Sequence, residues 1–258
     1  MDDKPAAASA VPPKASSRRR FLIKSVAVLP VAGGLAACDR PGGVTASASA
    51  SASTSATAGT DGSSAKPYQP KFFKPDEWSV LQAAIDRLIP ADAEGPGALE
   101  LDVAAFIDRQ MEGAFGHAAA WYMHGPFHPD ATPLAGYQSP MTPRDLYRTG
   151  IAALDAYCKA HFSGKPFVQL TTAQQDTLLH GMDSRKVKFE QTSAGHFIAL
   201  LWQNTKEGYF SDPIHGGNKH AASWTMIGFP GARADYLDWV AQPGKVYPLG
   251  TVTIEGKA

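Results

Sequence analysis

The side chains best equipped for chemistry in this 258-residue chain are imidazoles and carboxylates gathered in two loops. Asp212, His215 and His220 follow the spacing Asp-x-x-His-x-x-x-x-His in a glycine-rich stretch, with His196 on the preceding predicted helix as a further donor. Imidazole plus carboxylate is a reasonable shell for zinc or iron. Loop spacing alone is unspecific, however, because neutral histidines in loops often only hydrogen-bond backbone. A second group, His117, His124 and His128, is interleaved with Trp121, Tyr122 and Phe127. Such an aromatic, Pro/Gly-rich loop more often packs on a core or a partner than binds metal. Asp102, Asp108 and Glu112 share one face of a predicted helix. That pattern reads as a solvated face, with nothing to suggest a tuned acid/base pair.

Other chemistries lack their motifs. There is no strand–Gly-x-Gly-x-x-Gly–helix unit for a dinucleotide or FAD, no Gly-x-x-x-x-Gly-Lys-Ser/Thr phosphate loop and no Gly-x-Ser-x-Gly elbow. Two cysteines, Cys38 and Cys158, leave no Cys-x-x-Cys-His haem attachment and no four-cysteine cluster. Cys158 lies in an apolar helical pattern and reads as a buried, inert thiol. The sequence thus points to no cofactor in this chain and to no catalytic residue.

The elements that would position these residues are mainly helical. Pro75 to Ile89 places Trp78, Leu81, Ile85, Leu88 and Ile89 on one face, and Pro90 stops it. Leu99 to Met111 repeats the pattern. Thr142-Pro143-Arg144-Asp145 combines a hydroxyl cap, a first-turn proline and a first-turn acid, opening a helix to about Phe162. Thr171-Thr172-Ala173-Gln174 has capping-box spacing and starts a helix to Met182. Ser193 to Phe210 is the most apolar helix, and a short one is predicted over Arg233 to Val240. Gly250 to Glu255 alternates weakly and reads as an edge strand. The expected fold is a mainly α, irregular helical domain over 70–258, with long ordered loops at 112–141 and 211–231 and at most a short β element near the C-terminus.

Ahead of that domain the chain reads as an address. Ser17-Arg18-Arg19-Arg20-Phe21-Leu22-Ile23-Lys24 precedes a small-residue apolar run ending in Leu35-Ala36-Ala37-Cys38. The run falls short of the roughly 20 apolar residues a spanning helix needs. Residues 1–37 therefore read as a twin-arginine signal peptide, with Arg18, Arg19, Phe21 and Leu22 as its export residues. Leu-Ala-Ala-Cys resembles a lipobox, which makes Cys38 the lipidation site. Each buried CH₂ is worth about 0.8 kcal/mol, so two or three acyl chains anchor a protein stably. Asp39 resembles an inner-membrane retention signal. The expected location is the periplasm, lipid-anchored to the inner membrane after twin-arginine export. Residues 38–69 add an Ala/Ser-rich tether to that cysteine; a flexible coil of about 25 residues reaches roughly 25–30 Å. Without the six basic and two acidic residues of 1–37, the chain holds 18 basic and 22 acidic residues, a net of −4. That balance, with no basic run, argues against nucleic acid as a partner.

The densest stretch is Thr205-Lys206-Glu207-Gly208-Tyr209-Phe210-Ser211-Asp212-Pro213-Ile214-His215-Gly216-Gly217-Asn218-Lys219, continuing to Trp224-Thr225-Met226-Ile227-Gly228-Phe229-Pro230-Gly231. Read alone it is a helix end followed by a tightly turned loop. Gly208, Gly216 and Gly217 permit positive φ, Asp212-Pro213 favours a turn, and Trp224, Ile227 and Phe229 are placed to pin it. Ordered loops with aromatic anchors commonly build binding surfaces.

This stretch, with Trp78, the run Asp86 to Ala98 and Phe106-Ile107-Asp108-Arg109-Gln110, resembles the gluconate 2-dehydrogenase subunit 3 family over about residues 72–231. Members are small subunits of membrane-bound FAD-dependent sugar and sugar-acid dehydrogenases. The resemblance implies a cofactor-free accessory subunit that escorts and stabilises a large flavoprotein carrying FAD. A multihaem cytochrome c subunit is a further possible partner. Aromatic residues dominate binding hot spots, which nominates Tyr209, Phe210, Asp212, Trp224 and Phe229 as partner-binding residues. Packing within the domain is the competing explanation for each, and the stronger one for Trp224 and Phe229. The alternative function is a stand-alone lipoprotein that binds a small ligand or metal through the 212–220 loop.

Overall fold

A computed structural model of the chain describes residues 67–257. The export residues Arg18, Arg19, Phe21 and Leu22, the cysteine Cys38 and nearly all of the Ala/Ser tether lie outside the described residues. Within them the protein is mainly α. Its helices are α1 (Pro75–Leu88), α2 (Val103–Glu112), α3 (Pro143–His161), α4 (Thr172–Asp183), α5 (Ala194–Phe210), α6 (Ala222–Ile227) and α7 (Leu237–Val240). The β element is a two-residue-per-strand antiparallel hairpin, β1 (Val252–Thr253) and β2 (Gly256–Lys257).

Local sequence explains most helix boundaries. Pro75 opens α1, and the Lys74 N–H donates to Glu77 Oε2 at 2.9 Å. At α3 the Thr142 N–H donates to Asp145 Oδ2 at 3.1 Å, while Thr142 Oγ1 accepts from the Asp145 N–H at 3.3 Å. Thr171 and Gln174 make the same reciprocal pair at the start of α4. Each device satisfies amide donors that a helix start leaves without an internal partner. The central helix is α5, which packs against α1, α2, α3 and α4. Around it Ile85, Ile107, Tyr147, Leu154, Phe197 and Leu201 form one buried core. Cys158 is fully buried, and burial, aided by the Asp155 charge, pushes its thiol up to about 12.

Three predicted elements come out differently. The helix expected from Leu99 begins at Val103, because Asp102 takes a left-handed conformation (φ 55) and separates a preceding turn. The segment expected as a helix from Arg233 keeps a single turn, α7. Its first residues are held elsewhere, Arg233 by the Gly250 carbonyl and Tyr236 Oη by the Gly231 carbonyl. The 211–231 stretch, expected as loop, contains 3₁₀ turns at Pro213–His215 and Lys219–Ala221 followed by α6.

The largest correction concerns Asp108. Far from a solvated face, its carboxylate is wholly buried, whereas Asp102 and Glu112 stay in solvent. Asp108 Oδ1 accepts the N–H groups of Phe72 and Phe73 at 3.0 and 3.1 Å. Oδ2 accepts the Lys71 N–H and the Tyr68 hydroxyl, both at 2.8 Å. Four donors on one carboxylate offset much of the several kcal/mol that burying a charge costs. Burial and the Asp108 hydrogen bond raise the Tyr68 hydroxyl to about 12, so it remains a donor throughout the neutral range. From the other side Arg148 donates to the Phe72 carbonyl at 2.8 Å and pairs with Glu77 at 2.6 Å. The segment before α1 is thereby strapped across α2 and α3.

Two outcomes follow from this packing. Asp108→Ala strands three amides and a hydroxyl, and chemical unfolding is expected to show a loss of roughly 3 kcal/mol or more. Asp108→Asn keeps a carbonyl acceptor and should lose less; equal losses would mean that the carboxylate is not what holds the strap. Cys158 should resist iodoacetamide in the native protein at neutral pH and react readily after unfolding, since only the thiolate attacks.

Candidate functional site

The 205–231 stretch is built outward from the end of α5. There the Tyr147 hydroxyl donates to Asn204 Oδ1 at 3.1 Å, and Asn204 Nδ2 donates to Glu207 at 2.9 Å. Gly208, far from turning the chain, sits inside α5 against Phe106, where an added Cβ would come within 2.7 Å of the ring. Gly217 is required for close approach and not for positive φ: a Cβ there would lie 2.1 Å from the Gly208 carbonyl oxygen. Of the three glycines expected to permit positive φ, only Gly216 (φ 102) uses it.

Two buried polar side chains then shape the loop. Asp212 accepts the Ile214 N–H at 3.1 Å through one oxygen and the Ile254 N–H at 2.9 Å through the other. It thus caps its own 3₁₀ turn and fastens the C-terminal hairpin. Asn218, fully buried, donates to the Ser211 carbonyl at 2.9 Å and accepts from the Ser223 N–H (2.9 Å) and hydroxyl (2.7 Å). Asn218, His220 and Ala221 all have positive φ (47, 56 and 47°). Non-glycine residues reach that region at an energetic cost. The Asn218 network supplies the compensating contacts.

The nominated residues separate into two groups. Tyr209, Asp212 and Trp224 are interior: the Tyr209 hydroxyl donates to the Pro96 carbonyl and Trp224 Nε1 to the Phe210 carbonyl, each at 2.8 Å. Phe210 and Phe229 are about two-fifths exposed, and Ile214 and Ile227 lie open beside them in sequence. Phe229 meets the Trp224 ring edge-on at 5.1 Å, so one of its sides is packed and the other free.

The histidines are not brought together. His215 and His220 are exposed, while both Asp212 oxygens already hold backbone amides. His196 starts α5 and Phe210 ends it; at 1.5 Å per residue they are about 20 Å apart, so His196 cannot join the 212–220 loop. In the other loop His117 contacts Arg144, His124 lies by Tyr122, and the His128 amide donates to Gln138. Among the described residues, no three His, Cys, Asp or Glu side chains are grouped as a metal shell would require. Sequence reasoning missed Asn218, Ser223 and Asn204. The signal was present: Asn218 closes the Gly-Gly-Asn string, and asparagine is the ordinary residue least averse to left-handed backbone.

Against this geometry, a sequence model described as gluconate 2-dehydrogenase subunit 3 matches residues 75–231. The chain belongs to the gluconate 2-dehydrogenase subunit 3 family. The shared region spans α1 to α6 and ends at Gly231, within the stretch just described. It contains Asp108 but not the strap that Asp108 holds, and Asp212 but not Ile254. Asp108 and Asp212 therefore each bind a segment that flanks the family region. No curated protein and no solved structure matches the chain significantly.

Asn218→Ala should lower the stability of the domain by about 2–3 kcal/mol, since it removes three hydrogen bonds and leaves Ser223 unpartnered. His215→Ala is exposed and should stay within about 0.5 kcal/mol of the parent. Urea denaturation followed by tryptophan fluorescence would measure both, and a reversed order would refute the assigned role of Asn218.

Proposed function

We propose that this chain is the small, cofactor-free subunit of a periplasmic, membrane-associated FAD-dependent dehydrogenase of the gluconate 2-dehydrogenase type. Its role is accessory. It stabilises a large flavoprotein that carries FAD and oxidises the substrate hydroxyl, and it escorts that flavoprotein through twin-arginine export. A multihaem cytochrome c subunit would carry electrons onward to quinone.

The observation that carries this reading is membership of a family of subunits of gluconate 2-dehydrogenase complexes, over 157 consecutive residues. Three further features support it. The 205–231 loop is held rigid from within by Asp212 and Asn218, so it presents a preformed surface. Phe210, Ile214, Ile227 and Phe229 are exposed apolar side chains concentrated in that stretch, as befits a patch that a partner covers. The Arg18-Arg19 motif suits export of folded cargo, and Cys38 with its tether suits a domain held at a membrane surface. No helix of the described residues is long and apolar enough to cross a membrane, so in this reading the lipid on Cys38 is the anchor. The competing reading, a lipoprotein that binds metal through Asp212, His215 and His220, is disfavoured by the commitment of both Asp212 oxygens to backbone amides.

Isolation of the full chain from membrane extracts should bring down a flavoprotein with bound FAD and dye-linked dehydrogenase activity, whereas the chain alone should turn over nothing. Replacing Arg18 and Arg19 together by Lys should leave both polypeptides in the cytoplasm. Cys38→Ser should export them but release them from the membrane. A chain that emerges without a flavoprotein would sink the proposal.

A further inference from the structure

Beyond the family region, residues 232–257 fold back on the 219–231 stretch and create two adjoining clefts. The chain is stitched there by the Gly231–Val252 bridge, with the Ala232 N–H donating to the Val252 carbonyl at 2.7 Å. One cleft, about 400 Å³, has His220, Thr225, Arg233 and Thr251 in its wall. The other, about 490 Å³, shares Thr225, Leu249, Gly250 and Thr251 with it and adds Phe229, Lys245 and Val246.

The charge in these walls is of one sign. Arg233 and Lys245 are present, and neither lining contains an Asp or Glu. Among the described residues Arg233 makes no ion pair. Its guanidinium is placed by the Gly250 carbonyl and by the Tyr247 ring, 5.4 Å away, while its Nε has no hydrogen-bond partner. Lys245 lies 5.3 Å from the Trp239 ring centre and, among the described residues, hydrogen-bonds only the neutral Gln242. Both cations are therefore held in position by neutral groups. The Thr225 and Thr251 hydroxyls each donate to a backbone carbonyl. Around the cations the cleft walls are apolar and open: Phe229, Val246 and Leu249 are 42, 85 and 57 % exposed.

We propose that these clefts receive an acidic, apolar-flanked segment of the flavoprotein subunit, with one of its carboxylates seated on Arg233. The occupant follows from complementarity. A guanidinium that aromatic stacking already orients takes a carboxylate with little further loss of freedom, and the surrounding apolar side chains would exclude water from the pair. Phe229 links this surface to the exposed patch of the family loop. Because Arg233, Lys245 and Leu249 lie outside the region shared with the family, this surface is also where the chain would select its own flavoprotein among related ones. The inference rests on the accessory-subunit reading above.

The test is retention of flavin by the full-length chain pulled from membranes of cells that co-express its flavoprotein subunit. Arg233→Glu should reduce retained flavin at least about tenfold, and Arg233→Lys and Lys245→Glu about threefold each, since an ammonium keeps the charge but not the stacked fork. Lys245 is exposed, so its variant should fold even if an Arg233 variant does not. Arg185→Glu, in a separate cleft beside the start of α5, serves as the control and should change nothing. Raising NaCl from about 50 to about 500 mM should release the parent complex more readily than an Arg233→Met complex. Unchanged flavin retention by a folded Lys245→Glu or Arg233→Glu chain would overturn the docking surface and leave the accessory role standing. So would binding of sodium gluconate to the chain alone that Arg233→Glu abolishes while flavoprotein capture persists. If the parent chain captures no flavoprotein, the accessory role falls, and the docking surface with it.

Discussion

A buried carboxylate organises this protein. Asp108 projects from α2 into the protein interior, where a carboxylate is tolerated only if hydrogen-bond donors surround it. Three of those donors are consecutive backbone amides at residues 71–73, and the fourth is the Tyr68 hydroxyl. A single side chain thereby fixes the direction in which the polypeptide reaches α1. The next residue, Arg109, stacks over Tyr68 and lies so near Gly216 that a Cβ there would be 2.9 Å from its Nη1. At the opposite end of α2, Lys219 donates its N–H to the Leu101 carbonyl and pairs through Nζ with Asp102 at 3.1 Å. This helix is thus the bar on which the N-terminal strap and the 205–231 loop are both mounted.

The family string Glu-Gly-Tyr-Phe-Ser-Asp-Pro-Ile-His-Gly-Gly-Asn is mostly architecture. Tyr209 reaches Pro96, Asp212 fastens the hairpin, Gly217 lets two backbone segments touch, and Asn218 supports the strained residues that follow. Its outward-facing members are few: Glu207, Phe210, Ile214 and His215. The specific-looking sequence therefore marks a scaffold of fixed shape more than an inventory of contacts. What lies over that scaffold comes from both sides of the string, including the C-terminal segment that the 229–231 backbone and Asp212 hold in place.

Helices with their own punctuation were legible from sequence. Thr142 with Asp145 and Thr171 with Gln174 set their starts by local hydrogen bonds, and α5 was plain from its apolar density. Asp108 was not legible, because its partners lie 35 to 40 residues away and are mostly backbone amides, which leave no mark in side-chain pattern. Helix α6 was missed for a related reason: it follows a run of left-handed residues that only the Asn218 network makes tolerable. Of the aromatic residues of the loop, Tyr209 and Trp224 are interior, while Phe210 and Phe229 stay partly exposed. Their division into interior and exposed sets depends on where Pro96 and the Phe210 carbonyl sit, and composition carries no trace of either.

The strap has a mechanical consequence. A pull on the chain at Pro67 does not meet the end of a helix, which could fray one turn at a time. It meets several hydrogen bonds converging on one side chain, with Arg148 clasping the Phe72 carbonyl behind them. These must give way almost together, so force arriving from upstream would be shared among them and passed into α2 before α1 could begin to unwind.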